Sequence, residues 1–405
     1  GNISAVRETP DSNGQYGVGV TDGGDFTMTG GKIEAGWFAV AGNGNYKTQN
    51  SIINITDGEL ISTADYAVYL PQSGTTTISG GKVYGAAGGV CIQRGTLNVE
   101  GTALITSKGT GSTGNWGDGT GGLDCAAINV SGAYGIATVN IKGGTLIAEA
   151  KSLITEGTTY TPVINVTGGT FSDPSALKYM ATNATVDIKL LSNINIAKTE
   201  LATGYILNAA NATANLNLNG HDIINSSETA DATPFTQIFT VQNGTLNISG
   251  NGNVKCDASA TAKDDGYRMV IEARGYGTVN IHGGSYYNTQ KLNTQIDLIY
   301  ARENGKINIY GGTFESGKYG TPNNDTDGRY WVLNLKNTDK NTASIQVSGG
   351  TFINFNPANP NMDDNESYLV TGYEVTRDGS VYTAAHKVGD GRKEYIVGQT
   401  SQENR

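Results

Sequence analysis

Three basic residues recur at one place in three successive repeats of this chain: Arg274 in MVIEARG, Arg302 in LIYARENG and Lys336 in WVLNLKN. Tyr300 and Trp331 lie close to them in register, as do Tyr267 and Tyr330 just upstream. A guanidinium pairs with a carboxylate through a planar fork, and an aromatic ring stacks on the apolar face of a pyranose. Basic groups beside rings on one face are therefore chemistry for holding a sugar acid. The plainer reading is an ordinary solvated strand face, where hydrated like charges stack without harm. If the column is a binding groove, Arg302→Ala weakens uronate binding and leaves thermal stability unchanged.

Other chemistry-bearing residues form no such column. Hydrolysis of a glycosidic bond needs two carboxylates across one site, yet the acids do not align from repeat to repeat. Asp57 and Asp222 fall at glycine turns, where they help set the bend, and Glu272 and Glu303 are near each other without aligning. Asp264, Asp265, Asp325 and Asp327 lie in the turns KDDG and NNDTDG, which read as plain turns with a calcium loop as the alternative. His221, His282 and His386 have no metal spacing, and neither a metal nor a cofactor is expected. Cys91, Cys125 and Cys256 are too few for a disulfide framework and read as small buried apolar residues, with a Cys91–Cys125 pair left open.

The elements that would position the column are repeats. An apolar–polar–apolar run, a glycine turn and a polar–apolar pair recur from Phe26, Ile53, Thr76, Leu97, Val139, Ile164, Leu216, Leu246, Val279, Ile307 and Ile345. Most copies are about 21 to 33 residues apart, the range of solenoid repeats. The period of two means β-strand, and Gly-Gly, Asp-Gly and Asn-Gly tolerate the positive φ of a bend. A second set of short apolar strands lies between the copies, as in WFAVAGNG, YAVYLPQSG, GVCIQRG and IFTVQNG. A unit this small buries its apolar face only by stacking on a copy of itself. The predicted fold is all-β: a right-handed parallel β-helix, with like residues about 4.8 Å apart along its axis. An antiparallel sandwich is disfavoured by the constant G-G-T-F register.

The pattern breaks between residues 172 and 215, which divides the chain into a first module over 1–178 and a second over 179–354. Residues 355–405 leave the repeat; YEVTRDGSVYTA reads as a hairpin covering the last coil, followed by a polar tail. The stretch SKGTGSTGNWGDGTGG, from Ser107 to Gly122, is a glycine-rich excursion, either a surface loop or a functional insertion.

Composition narrows the function. A net charge of −10 argues against nucleic acid and anionic membrane surfaces as partners, and no apolar run is long enough to cross a bilayer as a helix. The first residues, GNISAVRETP, lack a leader pattern and read as the start of a processed chain.

The segments INVTGGTFSDPS, ATVDIKLLSNINI, LNLNGHDI, GGTFINFNPANP and YLVTGYEVTRDGSVYTA together resemble a recurrent β-helical repeat. Such repeats occur in exported surface proteins of gut bacteria and in structural proteins of their bacteriophages, including head fibres and tail appendages. The resemblance covers most of residues 20–386 and carries no catalytic motif. It implies a structural or adhesive role outside the cell, on a virion or a bacterial surface, contacting a surface glycan or host receptor. It implies a homotrimer if the chain belongs to a phage fibre. The alternatives are a carbohydrate-binding β-helix using Arg274, Arg302, Lys336, Tyr300 and Trp331, and a polysaccharide lyase or hydrolase acting on acidic glycans.

Overall fold

The computed structural model describes residues 1–6, 14–43, 49–113, 120–156, 159–196, 204–225, 235–256, 267–288, 296–316, 330–360 and 366–387. The chain is all-β, and its long sheets are parallel. The described strands fall into sheets of 19, 6 and 8 strands.

The pairing joins each repeat to the next at the same residue. Phe26, Ile53, Thr76, Leu97, Val139 and Ile164 form one continuous column of parallel partners. Leu246, Val279, Ile307 and Ile345 form another. One copy is out of register: Ala214, not Leu216, pairs with Leu246. A slip of two residues keeps every side chain on its own face, so hydrophobic alternation is blind to it.

The polar residue inside each I-N-I or L-N-I run has its own task. Asn98, Asn140 and Asn165 are joined amide to amide at 3.0 Å in each step. Asn215, Asn247, Asn280 and Asn308 continue the pattern at 2.8 Å per step. A side chain that both donates and accepts can bond to the copy above and the copy below, which Thr or Ser does less completely.

The double glycine is explained at Gly311–Gly312. A Cβ on Gly311 would lie 2.7 Å from the carbonyl oxygen of His282 in the preceding repeat, while Gly312 has φ +102°. The first glycine permits close approach and the second the left-handed bend. The next repeat does the same, with φ +102° at Gly350. The aromatic residue of G-G-T-F then turns inward: Tyr286, Phe314 and Phe352 are buried and stack at 5.0 Å per step.

The two runs of repeats use the motif differently. Before residue 172, the segments on both sides of the glycine turn belong to the large sheet, and the intervening short strands Tyr66–Leu70, Gly88–Ile92, Ala126–Val130 and Lys151–Thr155 lie in the six-stranded one. Between residues 205 and 281 the short strand and the I-N-I run merge into long strands such as Phe235–Ser249 and Tyr267–Ile281, and in later copies they are separate strands of the same large sheet, as in Ile296–Ala301 and Lys306–Ile309. The segments after the glycines then form the eight-stranded sheet. At the junction Phe171, which follows Gly-Gly, pairs with Ile188, and Ile188 pairs with Leu216. That column continues through Ile248, which precedes the glycine. One column therefore changes its place in the motif.

Asp173 caps a buried turn of 3-10 helix, Pro174–Tyr179, accepting from the Ser175 amide at 2.7 Å. Parallel pairing resumes beyond it, and one apolar core runs from Val20 to Ala384. The hairpin Tyr373–Asp378 and Val381–His386 pairs antiparallel with Thr351–Ile353 and lies on the edge of the eight-stranded sheet.

Candidate functional site: a basic column and its carboxylates

Arg274, Arg302 and Lys336 follow three partnered residues, Ala273, Ala301 and Leu335, so they occupy equivalent places in three stacked strands. The Arg302 amide donates to the Ala273 carbonyl at 3.1 Å and the Lys336 amide to that of Ala301 at 3.0 Å. Trp331 is not beside Tyr300: it pairs with Asp297, whereas Tyr300 pairs with Glu272 and Asn334. The rings are therefore three residues apart along the strand direction, too far for a shared sugar platform. The side chains of Tyr267 and Tyr330, like Asp264, Asp265, Asp325 and Asp327, lie outside the described residues.

Each cation of the column meets an acid. Glu272 is buried, and its Oε1 lies 2.6 Å from Arg302 Nε. Its Oε2 lies 4.0 Å from Arg274 Nε and accepts from the Gln237 amide at 3.3 Å. Arg302 Nη1 also pairs with Glu303. The Gln242 amide, with its oxygen facing the guanidinium, accepts from Arg274 Nε at 3.3 Å. Lys336 Nζ is 3.5 Å from Asp339 Oδ2, which also accepts from the Glu303 amide at 2.6 Å. Three cations stand against Glu272, Glu303 and Asp339. What reads in sequence as a basic stripe is locally neutral.

The electrostatics follow from that packing. Burial works against the charge of Arg302, but the hydrogen bond and charge of Glu272 outweigh it, so its pKa is raised. Burial, aided by the charge of Asp297, pushes Tyr300 up to about 12. The phenol is thus protonated at neutral pH and poorly suited to take a proton from a uronate. Both oxygens of Glu272 already face donors, which also suits it poorly to general acid work. The hydrogen bond from the Glu303 amide holds Asp339 below the usual carboxylate range.

Sequence reasoning placed Glu272 near Glu303 but missed the pairing of the acids with the column, because they do not stack on one another. Glu272 is on a strand, Glu303 in a turn at φ +60° and Asp339 in a short 3-10 turn; Arg302 joins the first two, and the Glu303 amide and Lys336 hold the third. Elsewhere, Asp57 does serve its turn, accepting from the Gly58 amide at 2.7 Å, whereas Asp222 reaches the next repeat, accepting from the Asn253 amide at 2.9 Å. His282 stacks on Tyr310 at 4.7 Å. All three cysteines are buried and none is in a disulfide.

A second polar cluster fastens the glycine-rich excursion, of which residues 114–119 lie outside the described residues. Thr120 Oγ1 donates to Asp65 Oδ2 at 2.9 Å, and Tyr66 OH donates to the Asp124 carbonyl at 2.5 Å. Glu156 Oε1 accepts from the Asp124 amide at 2.6 Å and from the Asn129 side chain. Burial raises the Tyr66 phenol well above its ordinary value and raises the Glu156 carboxyl.

Comparison with protein-family models, curated proteins and solved structures returns no match to this chain.

Proposed function

We propose that the chain is a right-handed parallel β-helix and serves as a non-enzymatic structural and adhesive element at the surface of a bacterium or a virion, contacting a glycan or host receptor. The observation that carries this reading is the repeat-to-repeat pairing of identical positions. Apolar residues, asparagines and aromatic rings each stack on their own kind over many repeats. Such a stack makes a stiff spacer whose outer face is free to vary. Right-handedness is the hand that strand twist favours in parallel connections. The neutralised basic column fits a scaffold better than a catalytic groove, because its charges face one another.

The test is light scattering behind size exclusion, with negative-stain images of the peak and a cleavage screen on acidic polysaccharides. Expected are a thin elongated particle and no release of reducing ends or unsaturated uronate. A trimer would favour the virion fibre, a monomer the bacterial surface. A compact particle would overturn the β-helix, and turnover of a polysaccharide would overturn the non-enzymatic role.

A further inference from the structure

The basic column is self-neutralised, but another arginine is not. Arg94 follows Ile92 and Gln93 in the first run, and among the described residues no carboxylate lies within ion-pair distance of it. One of its N–H groups donates to the Tyr134 carbonyl at 3.2 Å. Its stem lies against Gly135, where a Cβ would come 2.8 Å from Arg94 Cδ. The guanidinium is thus placed by its surroundings.

Arg94 belongs to an open groove of about 740 Å³. Its floor is the outward column Ile52, Thr75 and Thr96, next to Gly74 and Gly95, which have no side chains to fill the space. Its wall is built from two loops: the Tyr160 amide of one donates to the Gly132 carbonyl of the other at 3.1 Å, and the Gly95 amide at the floor donates to the Ile136 carbonyl at 3.2 Å, fixing wall to floor. The wall presents apolar surface to solvent, with Tyr134 37%, Tyr160 48% and Ile136 59% exposed. Among the described residues no Asp or Glu lines the groove and Arg94 is the one cation that does, in a chain of net charge −10.

These features select a ligand class. A peptide adding as a strand needs unpaired backbone groups. The floor strand Gly74–Ile78 is already paired on both sides, with Ser51–Ile55 and Thr96–Val99. A purely apolar partner would bury the guanidinium and the threonine hydroxyls without partners, which is costly. A sugar offers an apolar ring face for the tyrosines and hydroxyls for the threonines, and an acidic one adds a carboxylate for the arginine.

We propose that this groove is a subsite for an anionic saccharide, its pyranose face on Tyr134 and Tyr160 and its carboxylate on Arg94. The proposal rests on the adhesive reading above and gives it a location and a ligand class.

The test is titration calorimetry on the whole chain with trigalacturonate and 3′-sialyllactose, against their neutral counterparts galactotriose and lactose. At least one acidic probe should bind, about tenfold more tightly than its neutral counterpart, the order expected for a hydrogen-bonded ion pair. Arg94→Ala should abolish that preference. Gly135→Ala, which crowds the arginine without changing its charge, should reduce it. Tyr160→Ala should weaken binding of acidic and neutral probes alike, and Lys82→Ala, an exposed cation outside the groove, should leave binding unchanged. Failure of the wild type to bind either acidic probe overturns the proposal, as does an acidic preference that survives Arg94→Ala. If a broad glycan array shows binding that Arg94→Ala and Tyr160→Ala leave intact, the groove is refuted and the adhesive role stands. If trigalacturonate is cleaved while Arg94→Ala still loses the acidic preference, the groove stands and the non-enzymatic role falls.

Discussion

Arg302 and Arg94 sit in two runs of the same repeat and have opposite surroundings. Arg302 lies over a buried carboxylate, with Glu303 on its other side and about a quarter of its side chain, 24%, in solvent. Arg94 lies on a glycine beside exposed tyrosines, with no ion-pair partner among the described residues. An arginine in a repeat is thus no guide to binding until its counter-charge is known. A guanidinium held by a buried acid serves stability, and one held by backbone and glycine is free to meet an anion.

This contrast can be broken most sharply at Glu272. Glu272→Ala leaves Arg302, Arg274 and Gln237 without their shared acceptor. The loss should be about 3 kcal/mol, at the low end for a broken buried pair because Arg302 is partly solvated. Chemical denaturation would show it as a lower midpoint. Arg302→Ala should cost less, about 1–2 kcal/mol, because Arg274 and Gln237 still face the carboxylate. That outcome differs from the unchanged stability a pure binding residue would give. Replacing both Glu272 and Arg302 with methionine should cost less than the two single losses combined, since no charge is left buried alone.

Smaller effects separate ladder from groove. Asn247→Ala removes the bonds to Asn215 and Asn280 and should cost about 1 kcal/mol by thermal denaturation. Glu156→Gln probes pH. The folded protein holds the Glu156 proton to higher pH than the unfolded chain. Stability from this group is therefore full below the ordinary glutamate range and is lost as pH rises through the raised folded value. The glutamine variant keeps an oxygen for Asp124 and Asn129, so its thermal midpoint should exceed the wild type's at pH 7 and the gap should close toward pH 4. Arg94→Ala should change stability least, within about 0.5 kcal/mol in a denaturation titration.

Much of the molecule was legible in its repeats. The alternation in INIYGGTFESG predicted a strand, a bend and a second strand, and Ile307, Gly311, Gly312 and Phe314 do these things. The hairpin around Arg377, Asp378 and Gly379 was also legible, because its turn chemistry is local. Less was legible where two placements preserve the same alternation. The copy at Leu216 was displaced by two residues, and the passage of one column from Phe171 to Leu216 was hidden, because both steps keep apolar residues on the buried face.

By itself, the sequence determined the local geometry: which residues face inward, where the chain bends, and that identical units must stack to bury an apolar face. Those properties depend on side-chain type and on period. Only the tertiary structure decided which polar groups meet. Glu272 reaches Arg302 across 30 residues and Gly135 supports Arg94 from 41 residues away. Side chains of neighbouring repeats meet because strands pack about 4.8 Å apart, whatever the length of chain between them. Charge compensation is set by that spacing and by burial, and the distance along the chain does not record it.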